Sequence, residues 1–368
     1  MKWRSGINML GFEKTHTFPF KFDIPNYTKE FLKKESVIKC WFKFIKRQIF
    51  ITLKKQKSLE ITNILPEHKN ILWINISAPS LGDSLMDLSS RVLLKDRKVD
   101  LFTDNKNSEL YQDDAIFSAV FTNTKEVNKY DLVIIDSYST RSIKVKVQVA
   151  PLTPFVGMFG CYNGPEVNRV LFSFHQMNNL LDYRKGEVEV NKIAKTSISI
   201  STKDQKFVNQ AKLPSNYIAI ALGGEWNYRT YNNWDKVIEE LIRKDNNLNI
   251  ILIGSENAKD YAKTILGKFS HANVFSCVAK FTFNQTAQII NQAEILLCCD
   301  GGLMHAANAF NTIIVPLFAY LNEDMQLTES NFAYTLFDKR DVNNIRVQDI
   351  LQKYNEASNF ADIHPRDE

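Results

Sequence analysis

Residues 295–318 read ILLCCDGGLMHAANAFNTIIVPLF. The run 295–299 is apolar throughout and short enough for a strand buried on both faces. Asp300, Gly301 and Gly302 interrupt it, 302–310 continue as a short helix, and 312–318 form the next apolar strand. A strand buried on both faces that passes through a glycine turn into a helix and returns as another such strand indicates a parallel sheet covered by helices on each side.

Working back from this stretch, the same alternation recurs. Residues 217–222 (YIAIAL) and 249–253 (NIILI) read as strands, and 233–243, 258–266 and 284–291 as helices. A separate series precedes it. Residues 71–77 (ILWINIS), 99–103 (VDLFT) and 131–136 (DLVIID) read as strands, with a helix expected over 83–96. The stretch 185–212 between the two series is polar and rich in Lys, Ser and Thr. The fold expected is α/β: two Rossmann-like domains facing a central cleft, joined by a connection at 185–215.

In open α/β sheets ligands bind beyond the carboxyl ends of strands. That rule selects the loops 78–83, 223–233, 254–259 and 300–305. In the last, Gly301 and Gly302 let a ligand approach the backbone, and the helix start offers free N–H groups to an anion, with His305 one turn further on. A tight turn capped by Asp300 would leave the same pattern. In the second loop Gly223 and Gly224 repeat the glycine signal, and Arg229 has the donor fork that matches phosphate; Trp234, which opens a helix continued by Val237 and Leu241, reads as core. Gly82 and Asp83 stand between the first strand and its helix, where Asp83 serves either as the helix cap or as a general base.

The chain has 368 residues with 46 Lys+Arg against 41 Asp+Glu, a formal charge of +5. The distribution is uneven: residues 1–60 carry fourteen basic and five acidic residues, a balance of +9, and the rest balances at −4. Within this basic arm Ile38, Trp41, Phe42, Ile45, Ile49 and Leu53 repeat at helical spacing, with Lys39, Lys43, Lys46, Arg47 and Lys54 to the other side. Such a helix either lies on an anionic membrane, through residues 29–57, or packs its apolar stripe on the protein body. No nucleic-acid recognition motif accompanies the charge. The five cysteines, Cys40, Cys161, Cys277, Cys298 and Cys299, show no paired spacing, which suits a reducing compartment and gives no metal set. The apolar stretch 7–12 is too short for a signal peptide, so a cytoplasmic or membrane-peripheral chain is expected.

Gly82-Asp83 after the first strand, the glycine loop before Trp234 and Asp300-Gly-Gly-Leu-Met-His305-Ala together resemble glycosyltransferase family nine, the ADP-heptose:lipopolysaccharide heptosyltransferases, over about residues 71–321. The resemblance implies the GT-B arrangement, with a basic extension at 1–68, an acceptor domain at 69–184, a nucleotide-sugar domain at 216–345 and a C-terminal helix and tail at 346–368. It implies inverting, metal-independent transfer of a sugar, heptose in the first instance, from an ADP-linked donor to a lipopolysaccharide core or related glycolipid at the inner face of the inner membrane, with no cofactor. Asp83 would be the base. Asp300, Gly301, Gly302 and His305 would surround the donor diphosphate and sugar, with Gly223, Gly224 and Arg229 in the donor loop. Phe281 would line the base pocket and Glu256 would stand near the ribose. Two departures touch donor recognition: Asn232 replaces the family's lysine two positions before Trp234, with Arg229 and Lys236 nearby, and Ala319-Tyr320-Leu321 replaces a Gly-Pro-Thr-type turn. Other readings of the same residues are a catalytically silent relative that binds a glycan, nucleotide or protein, and a nucleotide-sugar epimerase.

Overall fold

The computed structural model describes residues 37–126, 129–160 and 168–364. Positions 1–36 of the basic arm, Cys161, and the side chains of Ile38, Lys39, Cys40 and Trp41 lie outside the described part. The chain divides into two compact units, Met1–Ala194 and Lys195–Glu368.

In the first unit five parallel strands lie in the order β3-β2-β1-β4-β5. They are β1 (Asn70–Asn75), β2 (Lys98–Thr103), β3 (Phe117–Phe121), β4 (Leu132–Ile135) and β5 (Phe155–Gly157). Leu72 and Ile74 of β1, Val133 and Ile135 of β4, and Phe102 of β2 share one face of this sheet and one core with Ile51, Ile143 and Phe155. The period of two along a strand sends alternate residues to opposite faces, so near-continuous Ile, Leu and Val is what a sheet covered twice requires.

The helix α1 (Val37–Leu53) forms where the sequence expects it but turns a different side to the body. Phe44, Phe50 and Ile51 pack onto the core, whereas Phe42 (74% exposed), Ile49 (53%) and Leu53 (74%) of the expected stripe face outward. Among the described side chains, the ones packed on the body are not those the spacing singled out.

The helix expected over 83–96 is interrupted. It runs as α2 (Leu81–Asp87) and then tightens to a 3₁₀ turn, Ser89–Leu94. The hydroxyl of Ser173 donates to the Asp87 carbonyl at 2.8 Å, and the Arg91 amide turns to Leu88 instead. Helices α3 (Asn105–Tyr111), α4 (Thr140–Val149), α5 (Arg169–Leu180) and α6 (Glu187–Ile193) complete the described part of this unit.

The second unit holds six parallel strands in the order β11-β10-β9-β6-β7-β8. The segment 185–215 is not a plain connection, since it contains α6 and, in this unit, α7 (Thr202–Gln210). The series continues as β6 (Ile218–Ala221), α8 (Trp234–Lys244), β7 (Ile250–Ile253), α9 (Lys259–Lys268), β8 (Val274–Ser276), α10 (Phe283–Gln292), β9 (Ile295–Cys299), α11 (Gly302–Ala309), β10 (Ile313–Ala319), β11 (Leu336–Asp338) and α12 (Val347–Ile363). Alternate residues again split between two cores. Ile218, Ile220, Ile295, Leu297, Ile313 and Val315 face Trp234, which is fully buried, while Ala219, Ala221, Leu296, Cys298 and Ile314 face α10 and α11. The order places β9 at the centre, between β10 and β6, and the loop after β9 is the Asp300 loop.

Candidate active site

In the first unit the loop after β1 carries Asp83. Its helix is capped by Ser80, not by Asp83: the Asp83 amide donates to Ser80 Oγ at 3.2 Å. With the cap supplied by serine, the Asp83 carboxylate is available for other contacts. Ser80 Oγ donates to Asp83 Oδ2 at 2.6 Å, and Arg169 Nη1 donates to Asp83 Oδ1 at 3.2 Å. Arg169 also forks onto Asp87 one helical turn on, with Nε to Oδ1 at 2.7 Å and Nη2 to Oδ2 at 2.6 Å. Its guanidinium lies 5.6 Å from the Phe159 ring centre. Asp87 is buried, and burial pushes its carboxyl up to about 6 although Arg169 pulls the other way. Beside this group Asp136, at the end of β4, accepts from the amides of Ile76 and Ser77 at 2.9 and 2.8 Å and from Ser142 Oγ at 2.6 Å. It thereby fixes the ends of β1 and β4. Asp87, Arg169 and Asp136 were not singled out in the sequence, because their partners lie 82, 86 and 60 positions away.

In the second unit Arg229 and Asp300 meet. Arg229 Nη1 donates to Asp300 Oδ2 at 2.7 Å, with the Asp300 side chain 2% exposed and that of Arg229 23%. Burial opposes the Arg229 charge, but the Asp300 carboxylate and Tyr228 outweigh it and hold the guanidinium pKa above its ordinary value. Arg229 Nε is buried with no hydrogen-bond partner among the described residues. Gly301 is the N-cap of α11 and contributes no capping side chain. A Cβ there would meet nothing within 4 Å. Amides at a helix start lack the usual intrahelical acceptors, and here those ahead of Met304, whose own amide donates to the Gly301 carbonyl at 3.1 Å, lie beside this arginine. His305 is buried in the second turn of α11, and its carbonyl accepts from Thr196 Oγ1 at 2.8 Å.

The remaining expected residues stand in the loops after β6, β7 and β8 of the same sheet. Gly223 has φ +78°, a left-handed conformation suited to glycine, and a Cβ on Gly224 would lie 2.5 Å from Thr230 Oγ1. Asn257 Nδ2 donates to the Gly224 carbonyl at 2.7 Å, tying the loop after β7 to the loop after β6. Asn232 is exposed; its amide donates to Asn343 Oδ1 and its carbonyl accepts from the Tyr261 hydroxyl. Glu256 is well exposed and pairs with Lys259. Phe281 packs edge-on against Phe207 with ring centres 5.8 Å apart. Cys277, Cys298 and Cys299 are free thiols, and burial pushes Cys277 up to about 11 and Cys299 to about 12, so they remain protonated. Among the described residues no group of three or more His, Cys, Asp or Glu side chains is placed to hold a metal ion.

Two parallel α/β units of this construction define the class: the fold is that of the GT-B glycosyltransferases. Residues 162–354 match the family described as glycosyltransferase family 9 (heptosyltransferase), and the chain belongs to that family. A family 9 glycosyltransferase from Veillonella parvula superposes with a TM-score of 0.65 at 12% identity, covering 80% of this chain and 98% of that one. The ADP-heptose lipopolysaccharide heptosyltransferase II of E. coli superposes at 0.63 with 17% identity, over 80% of this chain and 99% of the other. The E. coli heptosyltransferase WaaC with ADP gives 0.59 at 16% identity, over 78% and 99%. No curated protein sequence matches the chain. The protein is a glycosyltransferase.

Proposed function

We propose that the enzyme transfers a sugar, heptose in the first instance, from an ADP-linked donor to a hydroxyl of a lipopolysaccharide core or related glycolipid, with inversion and without a metal ion. The observation that carries this reading is the Arg229–Asp300 pair at the start of α11. A guanidinium and a set of free helix amides side by side suit a diphosphate leaving group, whose charge grows as the glycosidic bond breaks. The lysine that the family resemblance expects at position 232 is answered by Arg229, from the same loop, and this speaks against a silent relative.

In the proposed reaction Asp83 takes the proton from the acceptor hydroxyl. The oxygen attacks the anomeric carbon from the face opposite the phosphate, and the nucleoside diphosphate leaves with the bonding pair. Ser80 and Arg169 hold the two carboxylate oxygens so that the base is oriented before the acceptor arrives.

The acceptor's membrane setting is supported by α1. Its uncovered side chains Phe42, Ile49 and Leu53 stand beside exposed Lys43, Lys46 and Lys54, the composition that an anionic lipid surface attracts. No helix among the described residues is long and apolar enough to cross a membrane. The enzyme would act from the cytoplasmic side as a peripheral protein.

Release of ADP from ADP-heptose, with and without a heptose-acceptor glycolipid, tests the assignment. Asp83→Ala is expected to lose acceptor-dependent release at least a hundredfold while binding ADP as tightly as the wild type, and a chelator is expected to leave the wild-type rate unchanged. Full turnover by Asp83→Ala would remove the assigned base, and loss of activity on chelation would remove the metal-free mechanism.

A further inference from the structure

Beside the Arg229–Asp300 pair stands a row of aromatic rings that no step above uses. Trp226 and Tyr228 lie in the loop after β6, and Tyr320 follows β10. The ring centres of Trp226 and Tyr228 are 6.4 Å apart, and those of Tyr228 and Tyr320 are 6.1 Å apart. Arg229 Cζ lies 5.4 Å from the Tyr228 ring centre, so the row is continuous with the cation that meets Asp300. The two ends of the row are open to solvent, Trp226 at 54% and Tyr320 at 57% exposure. Large apolar rings grouped at a surface mark a contact site more often than single exposed ones do.

Tyr320 adds a second, independent observation. Its φ is +72°, and the Leu321 amide donates to the Ala319 carbonyl at 2.8 Å. Those features define the rare, strained γ-turn of positive φ. A bulky residue in that conformation is a genuine outlier, and such strain collects where a ligand is held. Glycine would meet the backbone requirement without strain, yet the chain places a tyrosine there and leaves more than half of it exposed.

The sheet order says which part of a ligand would meet the row. β9 lies between β10 and β6, so rings from the ends of β6 and β10 flank the Asp300 strand end. The base and ribose candidates, Phe281 and Glu256, follow β8 and β7, on the far side of β6. A nucleotide-sugar with its base toward β7 and β8 and its diphosphate at Asp300 extends its sugar toward β10.

We propose that Trp226, Tyr228 and Tyr320 form a platform that receives the apolar C–H face of the donor's pyranose ring. The inference rests on the donor-site reading above. A pyranose presents axial C–H groups on one face, and aromatic faces both bury that apolar area and attract the slightly positive hydrogens. Hydroxyls at the ring edge remain in water or reach polar neighbours. A platform of this kind binds the sugar and not the nucleotide.

The test is calorimetric titration of the full chain with ADP and with ADP-heptose, combined with thermal melting. Tyr320→Gly and Trp226→Leu are each expected to weaken ADP-heptose about tenfold and to leave ADP within about twofold. Tyr320→Gly is also expected to melt at or above the wild-type temperature, because it removes the strained turn. Equal losses for ADP and ADP-heptose would mean that the rings contact the nucleotide, and would overturn the inference. So would unchanged affinity for both, or a lowered melting temperature in Tyr320→Gly that accompanied any loss. If the wild type binds neither nucleotide, the donor-site reading fails and this inference fails with it; ADP binding without a selective loss in the variants overturns the inference alone.

Discussion

Replacing Arg229 with leucine separates the stabilising role of this residue from its proposed binding role. The change leaves the Asp300 carboxylate, 2% exposed, without its cation. Removing one member of a buried pair costs about 3–5 kcal/mol, and the partial exposure of Arg229 places this case near the lower end, about 3 kcal/mol. The loss of stability is therefore about 3 kcal/mol at pH 7. At about 2–4 °C per kcal/mol for a unit of this size, the pH 7 melting temperature falls by about 6–12 °C.

Adding Asp300→Asn to the leucine variant removes the stranded charge and should recover most of that loss. ADP affinity should not recover, since the cation proposed for the phosphates is still missing; a lost charge-assisted contact of about 1.5–3 kcal/mol is roughly a ten- to hundredfold weakening. Thermal melts at pH 7 and ADP titrations of the single and double variants decide the matter. Arg229→Leu melting like wild type at pH 7, or the double variant binding ADP like wild type, would refute the reasoning.

Other expectations follow from the same contacts. Asp87, raised to about 6, binds its proton more tightly in the folded state than in the unfolded one, so its contribution to stability is full below about pH 4 and is lost as pH rises through 6. The shift corresponds to about 3 kcal/mol, and Asp87→Asn should abolish that slope in pH-dependent chemical denaturation; an unchanged slope would assign it to another group. Below pH 6 the wild type should also turn over more slowly, because protonated Asp87 no longer holds Arg169 as an ion pair beside Asp83. Gly301→Ser should raise the melting temperature by a few degrees, since it adds a capping hydroxyl and lowers unfolded-state freedom at a position where a Cβ meets nothing, and a lowered temperature would contradict that geometry. Lys43→Gln with Lys46→Gln should weaken sedimentation with vesicles of anionic phosphatidylglycerol about thirtyfold, at about 1 kcal/mol per lysine, and binding that ignores both the variant and added salt would remove α1 as the contact.

The parts of this molecule that were legible in its sequence are the parts whose cause is local. β1, β6, β7, β9 and β10 announce themselves because a strand covered on both faces is built almost wholly of apolar residues, and Ile218–Ala221 or Ile295–Cys299 show it within four or five positions. The Asp300 loop is legible for the same reason: strand, glycines and helix are consecutive. β3, β5, β8 and β11 are short or half-exposed, so their patterns lack a clear period. The break after Asp87 is not legible locally, since the hydroxyl that meets the Asp87 carbonyl there, that of Ser173, comes from a helix 86 positions away. Helical spacing in α1 shows which residues share a side but not which side meets the body, and there Phe44 and Ile51 took the packed position.

The two charged groups differ in a way that supports the proposed division of the substrates between them. Around Asp83 one guanidinium serves two carboxylates, Asp83 and Asp87, so the group carries a net negative charge when both are ionised. That balance suits removal of a proton from a neutral hydroxyl and repels a diphosphate. Around Asp300 one guanidinium serves one carboxylate, and the free amides of α11 add positive potential. In the proposed reading that group accepts an anion without first losing a charge partner, because Asp300 engages only Nη1 of Arg229. Removing Asp87 and Arg169 together is therefore a stricter test than deleting either one. Asp87→Leu with Arg169→Leu leaves Asp83 carrying the same net charge with no guanidinium to orient it. Loss of turnover in that variant, with ADP affinity intact, would assign Arg169 to orientation and not to charge.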